Sequence, residues 1–148
     1  MASYVYLDWR LRSKQVVKLA EITYRQLDYW VSTGLVQCIE PGHGTGTDRL
    51  FSMLDVIAVR AAAGLRKDGS SLQEIRKAVE LLRSEWSISE PLHSGKLLVI
   101  NGRVYYAASE AEVWDVIRGQ AAIKRLITLD AGELARDTIQ KVRVLIAA

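Results

Sequence analysis

Tyr24, Arg25, Asp28 and Tyr29 fall on one side of the helix-length stretch YRQLDYWVST, with Leu27 and Val31 on the other. Such an outward set is unusual for a helix that only fills a fold. An arginine can pair bidentately with guanine O6 and N7 or clamp a phosphate, and a tyrosine hydroxyl can donate to a phosphate oxygen. The plainer alternative is a solvated helix face with two half-buried rings, since two-helix corners are common. A second candidate is the glycine-rich run Pro41-Gly42-His43-Gly44-Thr45-Gly46. It lacks the Gly-Lys-Ser/Thr ending of a nucleotide-binding loop and does not lead straight into a helix, so a hairpin tip is expected. His43 at that tip is placed to touch a phosphate or a groove edge; a histidine without a role is the alternative. His93 sits in a polar stretch and is expected to have no function. One cysteine and two histidines without clustering supply no metal-ligand set. No Ser, Cys or His has the spacing of a nucleophile and its base, and Glu110 and Glu112 are explained by a helix start. The chain is therefore expected not to be an enzyme and to use no cofactor and no metal.

Caps and stops outline the elements that must position these residues. Ser13 opens a helix over KQVVKLAEI, with Val16, Val17, Leu19 and Ala20 available to one face. A short turn, Glu21-Ile22-Thr23, follows; Thr23 caps the second helix and Gly34 ends it. EPGHGTGTDR then interrupts with a loop or hairpin. Ser52-x-x-Asp55, a capping box with a shorter acid, opens a third helix that Gly69 stops. Ser71-x-x-Glu74 reads as a complete capping box before LQEIRKAVELLRSEW, where Leu72, Ile75, Val79 and Leu82 share a face. Residues 14–33 are thus a helix-turn-helix candidate, followed by a hairpin and two helices. Upstream, the alternation of Tyr4, Tyr6 and Asp8 suggests a short strand or an arm docked on a neighbour.

The composition is that of an ordinary globular chain: 148 residues, 49% hydrophobic and 25% charged. That length suffices for one sizeable core or two small ones. No run reaches about 18 uncharged apolar residues, so no membrane span is expected. The N-terminus lacks the basic-then-apolar order of a signal peptide. A lone Cys38 excludes an internal disulfide, fits a reducing cytosol and reads as a small buried hydrophobe. Residues 1–85 hold 12 Lys+Arg against 10 Asp+Glu, and residues 86–148 hold 8 against 7, within a net charge of +3. Neither half is a basic tail, so any nucleic-acid binding must come from where the charges sit.

SISEPLHSG marks a composition change and a boundary. Beyond it KLLVINGRVYYA reads as a hairpin about Asn101-Gly102. Tyr105 and Tyr106 point to opposite faces, so one is core. A helix over EAEVWDVIRG is expected, capped by Ser109 and stopped by Gly119. AAIKRLITL reads as a third strand, and a terminal helix offers Leu134, Ile139, Val142 and Leu145 for burial. Trp86 and Trp114 read as core or interface aromatics. A β-β-α-β-α unit of this size is marginal alone, so it is expected to pack on a second copy. The seam would be an edge at Lys96–Ile100 or Ala122–Leu129, or the terminal helix.

Residues 13–84 resemble the DNA-binding domain of the MerR family. The resemblance rests on KLAEITYRQLDYWVSTGLV, GHGTGTDRLFS and DVIAVRAAAGLRKDGSSLQEIRKAVELL. The family's second helix reads S-x-R-T-L-R-Y-Y-x-x-x-G-L; here it reads Thr23-Tyr24-Arg25-Gln26-Leu27-Asp28-Tyr29-Trp30, then Gly34-Leu35. The R-x-Y that ends the family's wing is matched by Arg49-Leu50-Phe51. The G-x-S-L-x-x-I opening of the fourth helix is matched by Gly69, Ser71, Leu72 and Ile75. The resemblance implies a winged helix-turn-helix that sits on duplex DNA as a homodimer. It gives Arg25 a place at phosphate or base and Tyr29 a phosphate contact. The wing around Gly44–Arg49 would approach the neighbouring backbone, with Arg49 also able to tie the wing to the helices. The candidate DNA contacts are Lys14, Thr23, Tyr24, Arg25, Gln26 and Tyr29 on the helices, and His43, Thr45, Thr47 and Arg49 on the wing. Three departures stand out. Glu21 occupies a turn position commonly held by glycine, where a positive φ would cost about 1 kcal/mol. Asp28 replaces an arginine-like residue; it faces cytosine N4, or it pairs with a nearby arginine. Phe51 replaces a tyrosine and loses its hydroxyl. The family's long antiparallel dimer helix and cysteine ligands are missing, so metal-driven DNA untwisting is not implied.

The expected fold is α+β. Residues 1–86 would form a MerR-like winged helix domain with an N-terminal arm, 87–95 a linker, and 96–148 a small dimerising α/β domain. Deleting residues 87–148 would then leave a folded domain with weaker operator affinity. The expected function is a cytoplasmic, sequence-specific double-stranded DNA-binding transcriptional regulator of a bacterium or phage. It would act as a homodimer on a palindromic site and repress by occlusion. The alternatives are an excisionase-like accessory factor that bends DNA, and an antitoxin-like protein-interaction module.

Overall fold

In the computed structural model, residues 9–39, 49–109, 112–123 and 133–147 are described. In chain order they form β1 (Leu11–Arg12), α1 (Ser13–Ala20), α2 (Tyr24–Ser32), β2 (Leu50–Phe51), α3 (Met53–Lys67) and α4 (Leu72–Ser84). A 3-10 turn (Pro91–His93), β3 (Leu97–Ile100), β4 (Arg103–Ser109), β5 (Glu112–Asp115), β6 (Gln120–Ile123) and α5 (Glu133–Ala147) follow. The class is α+β, as the sequence suggests. The chain divides into two compact units, Met1–Ala63 with Leu134–Ala148, and Gly64–Glu133.

Side-chain caps start α2 and α3 where the sequence places them. Thr23 Oγ1 accepts from Gln26 N at 3.1 Å, and Gln26 Oε1 accepts from Thr23 N at 2.9 Å. Ser52 and Asp55 make the same reciprocal pair at 3.1 and 2.9 Å, so the shorter acid closes that box. Each box satisfies two helix-start N–H groups that would otherwise lack partners. β1 pairs antiparallel with β2, Leu11 opposite Phe51. Both side chains are buried, with Val16, Leu27, Trp30 and Val56 also in the core. Phe51 is thus a core ring. A two-residue strand is present at Leu11–Arg12; Tyr4, Tyr6 and Asp8, where a strand or arm is expected, lie outside the described residues. The terminal helix α5 belongs to this unit. Its Thr138 and Val142 are buried, Ile139 and Leu145 are half-buried, and Arg60 of α3 donates to Thr138 Oγ1 at 2.6 Å.

Glu21 ends α1 in the left-handed region, φ 56° and ψ 45°, with its N–H donating to Val17 O. A side chain there strains the backbone, and glycine relieves it. Glu21→Gly is expected to stabilise the fold by about 1 kcal/mol, read as a higher melting temperature. A lower melting temperature would contradict the assigned strain.

In the second unit α4 buries Ile75, Ala78, Val79 and Leu82, with Leu72 half-buried at the edge of that face. Ser71 Oγ accepts from Glu74 N at 3.0 Å, as the capping pattern requires. The Glu74 carboxylate turns elsewhere: its Oε2 accepts from Val104 N of β4 at 3.2 Å and from Arg118 Nη1 at 3.4 Å. A local capping signal has been put to use as a tie between helix and sheet. Asn101 and Gly102 both have positive φ, 51° and 78°, as a type I′ turn demands.

The helix expected over EAEVWDVIRG is instead strand β5 and a turn. The sheet order is β3-β4-β5-β6, all antiparallel, so the unit is a four-stranded meander. Val113 and Trp114 favour a strand, and their register sets Val113 against Ala107 and Trp114 against Tyr106. The stop signal is real but serves a turn. Asp115 Oδ1 accepts from Arg118 N at 3.2 Å, and Gly119, φ 66°, donates to Asp115 O at 2.8 Å. The third expected strand is seen at Gln120–Ile123; the remainder of AAIKRLITL lies outside the described residues.

Asp115 is buried and receives Arg118 Nη1 at 3.2 Å on both oxygens, with Arg103 Nη1 at 3.8 Å. Glu74, with Asp115 adding to it, raises the Arg118 guanidinium above its ordinary range, so the counter-charge that a buried carboxylate needs is always present. Tyr105 is the core tyrosine. Tyr106 and Trp114 meet Trp86 edge-on at ring distances of 5.6 and 6.2 Å. The stretch expected as a linker falls inside this unit, with Pro91 and Leu92 buried.

Candidate nucleic-acid interface

Helix α2 is anchored along one face. α1 and α2 pack on each other across the turn at Glu21. Within α2, Leu27 and Trp30 are 1% and 2% exposed, whereas Val31 is half-buried. Trp30 is therefore the stronger inward anchor, one step along from the Val31 expected. Helical spacing then places Tyr24, Arg25, Asp28 and Tyr29 on the opposite arc. All four are exposed, the two tyrosines by about half of their surface, 53% and 52%. Two large rings left open beside a cation and a carboxylate form a face fitted to a polar, charged partner.

The other candidates separate into groups. Thr23 and Gln26 are engaged by each other in the cap, which consumes Thr23 Oγ1 and Gln26 Oε1 as acceptors and leaves the Gln26 amide as a donor. Lys14 is exposed in the first turn of α1. Arg49 is tucked in, its side chain 13% exposed, and donates from Nη1 to Asp28 Oδ1 at 2.5 Å. The salt bridge weighed for Asp28 is present. With Asp28 61% exposed, such a pair adds only about 0–1 kcal/mol to stability, so its effect is mainly geometric. It ties Arg49, the residue before β2, to α2. Ile39 N donates to Leu50 O of β2 at 2.7 Å. His43, Thr45 and Thr47 lie outside the described residues. Cys38 is half-buried. Among the described residues no three His, Cys, Asp or Glu are grouped to hold a metal ion, and no helix is long and apolar enough to cross a membrane.

Two residues gain weight over the sequence reading. Trp30 sits three positions after Leu27, the spacing that could have marked it as the anchor. Asp28 pairs with Arg49, 21 positions away and beyond any local signal.

Two helices joined by a tight turn, the second capped by Thr23, with β1 paired to β2, form a helix-turn-helix. Residues 11–82 match the family described as MerR HTH family regulatory protein. The chain is 37% identical over 109 residues to an uncharacterized HTH-type transcriptional regulator of Mycobacterium bovis. It shows the same identity over the same length to uncharacterized HTH-type transcriptional regulators of two Mycobacterium tuberculosis strains. Each alignment covers 73% of this chain and 48% of the relative, so the chain spans about half the length of these relatives.

Proposed function

We propose that the protein is a cytoplasmic transcriptional regulator that binds double-stranded DNA through the exposed face of α2. The observation that carries this reading is the Tyr24–Arg25–Asp28–Tyr29 face on a helix whose other side is fixed by Leu27 and Trp30, within a MerR-type domain. Arg25 reads or grips DNA from the first turn of α2, Tyr29 reaches phosphate, and Lys14 adds a backbone contact. Residues 42–50 contact the flanking backbone. Two copies occupy a palindromic site and repress by occlusion, joined through residues 96–148. Edge strand β3 offers Leu-Leu-Val-Ile, four half-buried apolar residues without a charge, as a seam.

Arg25→Ala tests the reading. Specific binding should weaken by about 1–3 kcal/mol with relaxed preference at one base position. A pure phosphate grip would instead give a uniform loss and a salt slope smaller by about one. Unchanged affinity in a polarisation titration on duplex DNA would remove α2 from the interface. The dimer has its own test: light scattering at micromolar concentration should return twice the 16.6 kDa chain mass, and a monomer there would contradict it.

A further inference from the structure

We infer that Asp28 is a base-reading carboxylate, anchored by Arg49 and accepting from the N4 amine of a cytosine in the major groove. The inference rests on the proposal that α2 reads DNA, and it adds what the second charged residue of that face does. A lone carboxylate on a DNA-facing helix would be repelled by phosphate. Here Arg49 Nη1 donates to Asp28 Oδ1, so the pair has no net charge. The anchor is firm, because the Arg49 side chain is only 13% exposed and the residue directly precedes β2.

Asp28 itself is 61% exposed and lies one turn from Arg25 on the open arc. An ionised carboxylate accepts at about four lone-pair sites, and one guanidinium contact on Oδ1 leaves further acceptor capacity. An outward acceptor selects a base that offers a donor. In the major groove guanine and thymine present acceptors at the matching positions, which a carboxylate opposes. Adenine presents its N6 donor beside the N7 acceptor, so a carboxylate meets one partner and one opponent. Cytosine presents the N4 donor alone and is the base that fits. Because Arg49 already fixes the carboxylate, less side-chain freedom is lost on contact.

The test is a selection from randomised duplex DNA with the full chain, sequencing the bound pools of wild type, Asp28→Ala and Asp28→Asn. Melting curves confirm that each variant folds, which an exposed helix position permits. The wild type should enrich cytosine at one position of each half-site. Asp28→Ala should lose that discrimination by about 5- to 150-fold while keeping the preference that Arg25 confers. Asp28→Asn should move the preference toward adenine, whose N6 and N7 an amide satisfies together. The inference is overturned if Asp28→Ala keeps the cytosine, binds every sequence more tightly, or weakens uniformly at all positions. The last result would make Asp28 a positioning residue. A wild-type pool with no enrichment overturns the DNA-reading proposal itself, whereas enrichment indifferent to Asp28 overturns only this inference.

Discussion

Trp30→Ala should lower stability by about 3–5 kcal/mol, the range for removing a large aromatic from a packed core. Trp30 is 2% exposed and stands directly behind the open face of α2. Its carbonyl also accepts from Leu35 N at 2.9 Å and Val36 N at 3.2 Å, so it sits where the helix ends and the chain turns back into the core. Those backbone bonds survive the substitution, and the loss is one of packing alone. For a chain of this size the melting temperature should fall by roughly 6–20 °C. Against a total stability of about 5–15 kcal/mol, a loss this large is a substantial fraction of the whole. A melting temperature within about 2 °C of wild type would show that the indole is not the anchor.

Truncation after Trp86 should abolish cooperative unfolding. The sequence alone suggests the opposite, a free-standing domain with weaker affinity. Two observations reverse that expectation. α4 packs on β4 and on the Pro91–His93 turn, and its Glu74 satisfies the Val104 N–H; these contacts lie in the deleted part. The first unit includes α5, whose buried Thr138 and Val142 and whose bond from Arg60 vanish with it. Each large apolar side chain returned to water forfeits about 1.5–3 kcal/mol, and Ile75, Val79 and Leu82 are all buried on α4. Residues 1–86 should therefore give a broad, non-cooperative thermal transition by circular dichroism. A sharp transition at the wild-type temperature would instead support a boundary at 87–95.

What was legible in the sequence was local. Thr23 with Gln26, and Ser52 with Asp55, act within one helical turn, and both close as their spacing suggests. Asn101-Gly102 fixed its hairpin because few residues tolerate two positive φ values in a row. The failures were of two kinds. At Ser109–Gly119, local stop signals were compatible with either a helix or a strand and turn, and pairing with β4 decided the outcome. The grouping of α5 with the first 63 residues depends on contacts such as Arg60–Thr138, 78 positions apart, which no periodicity encodes. The face of α2 lay between these cases. Its outward residues follow from helical spacing, whereas the partner of Asp28, Arg49, lies 21 positions away and outside local spacing.

The central claim is that α2 presents Arg25 to the major groove. Methylation interference on a duplex enriched by the protein measures this directly, because guanine N7 lies in the major groove and adenine N3 in the minor. Methylation of N7 at one guanine in each half-site should block binding, and Arg25→Ala should become indifferent to it. Interference confined to adenine N3, or none at either atom, would contradict major-groove reading by α2.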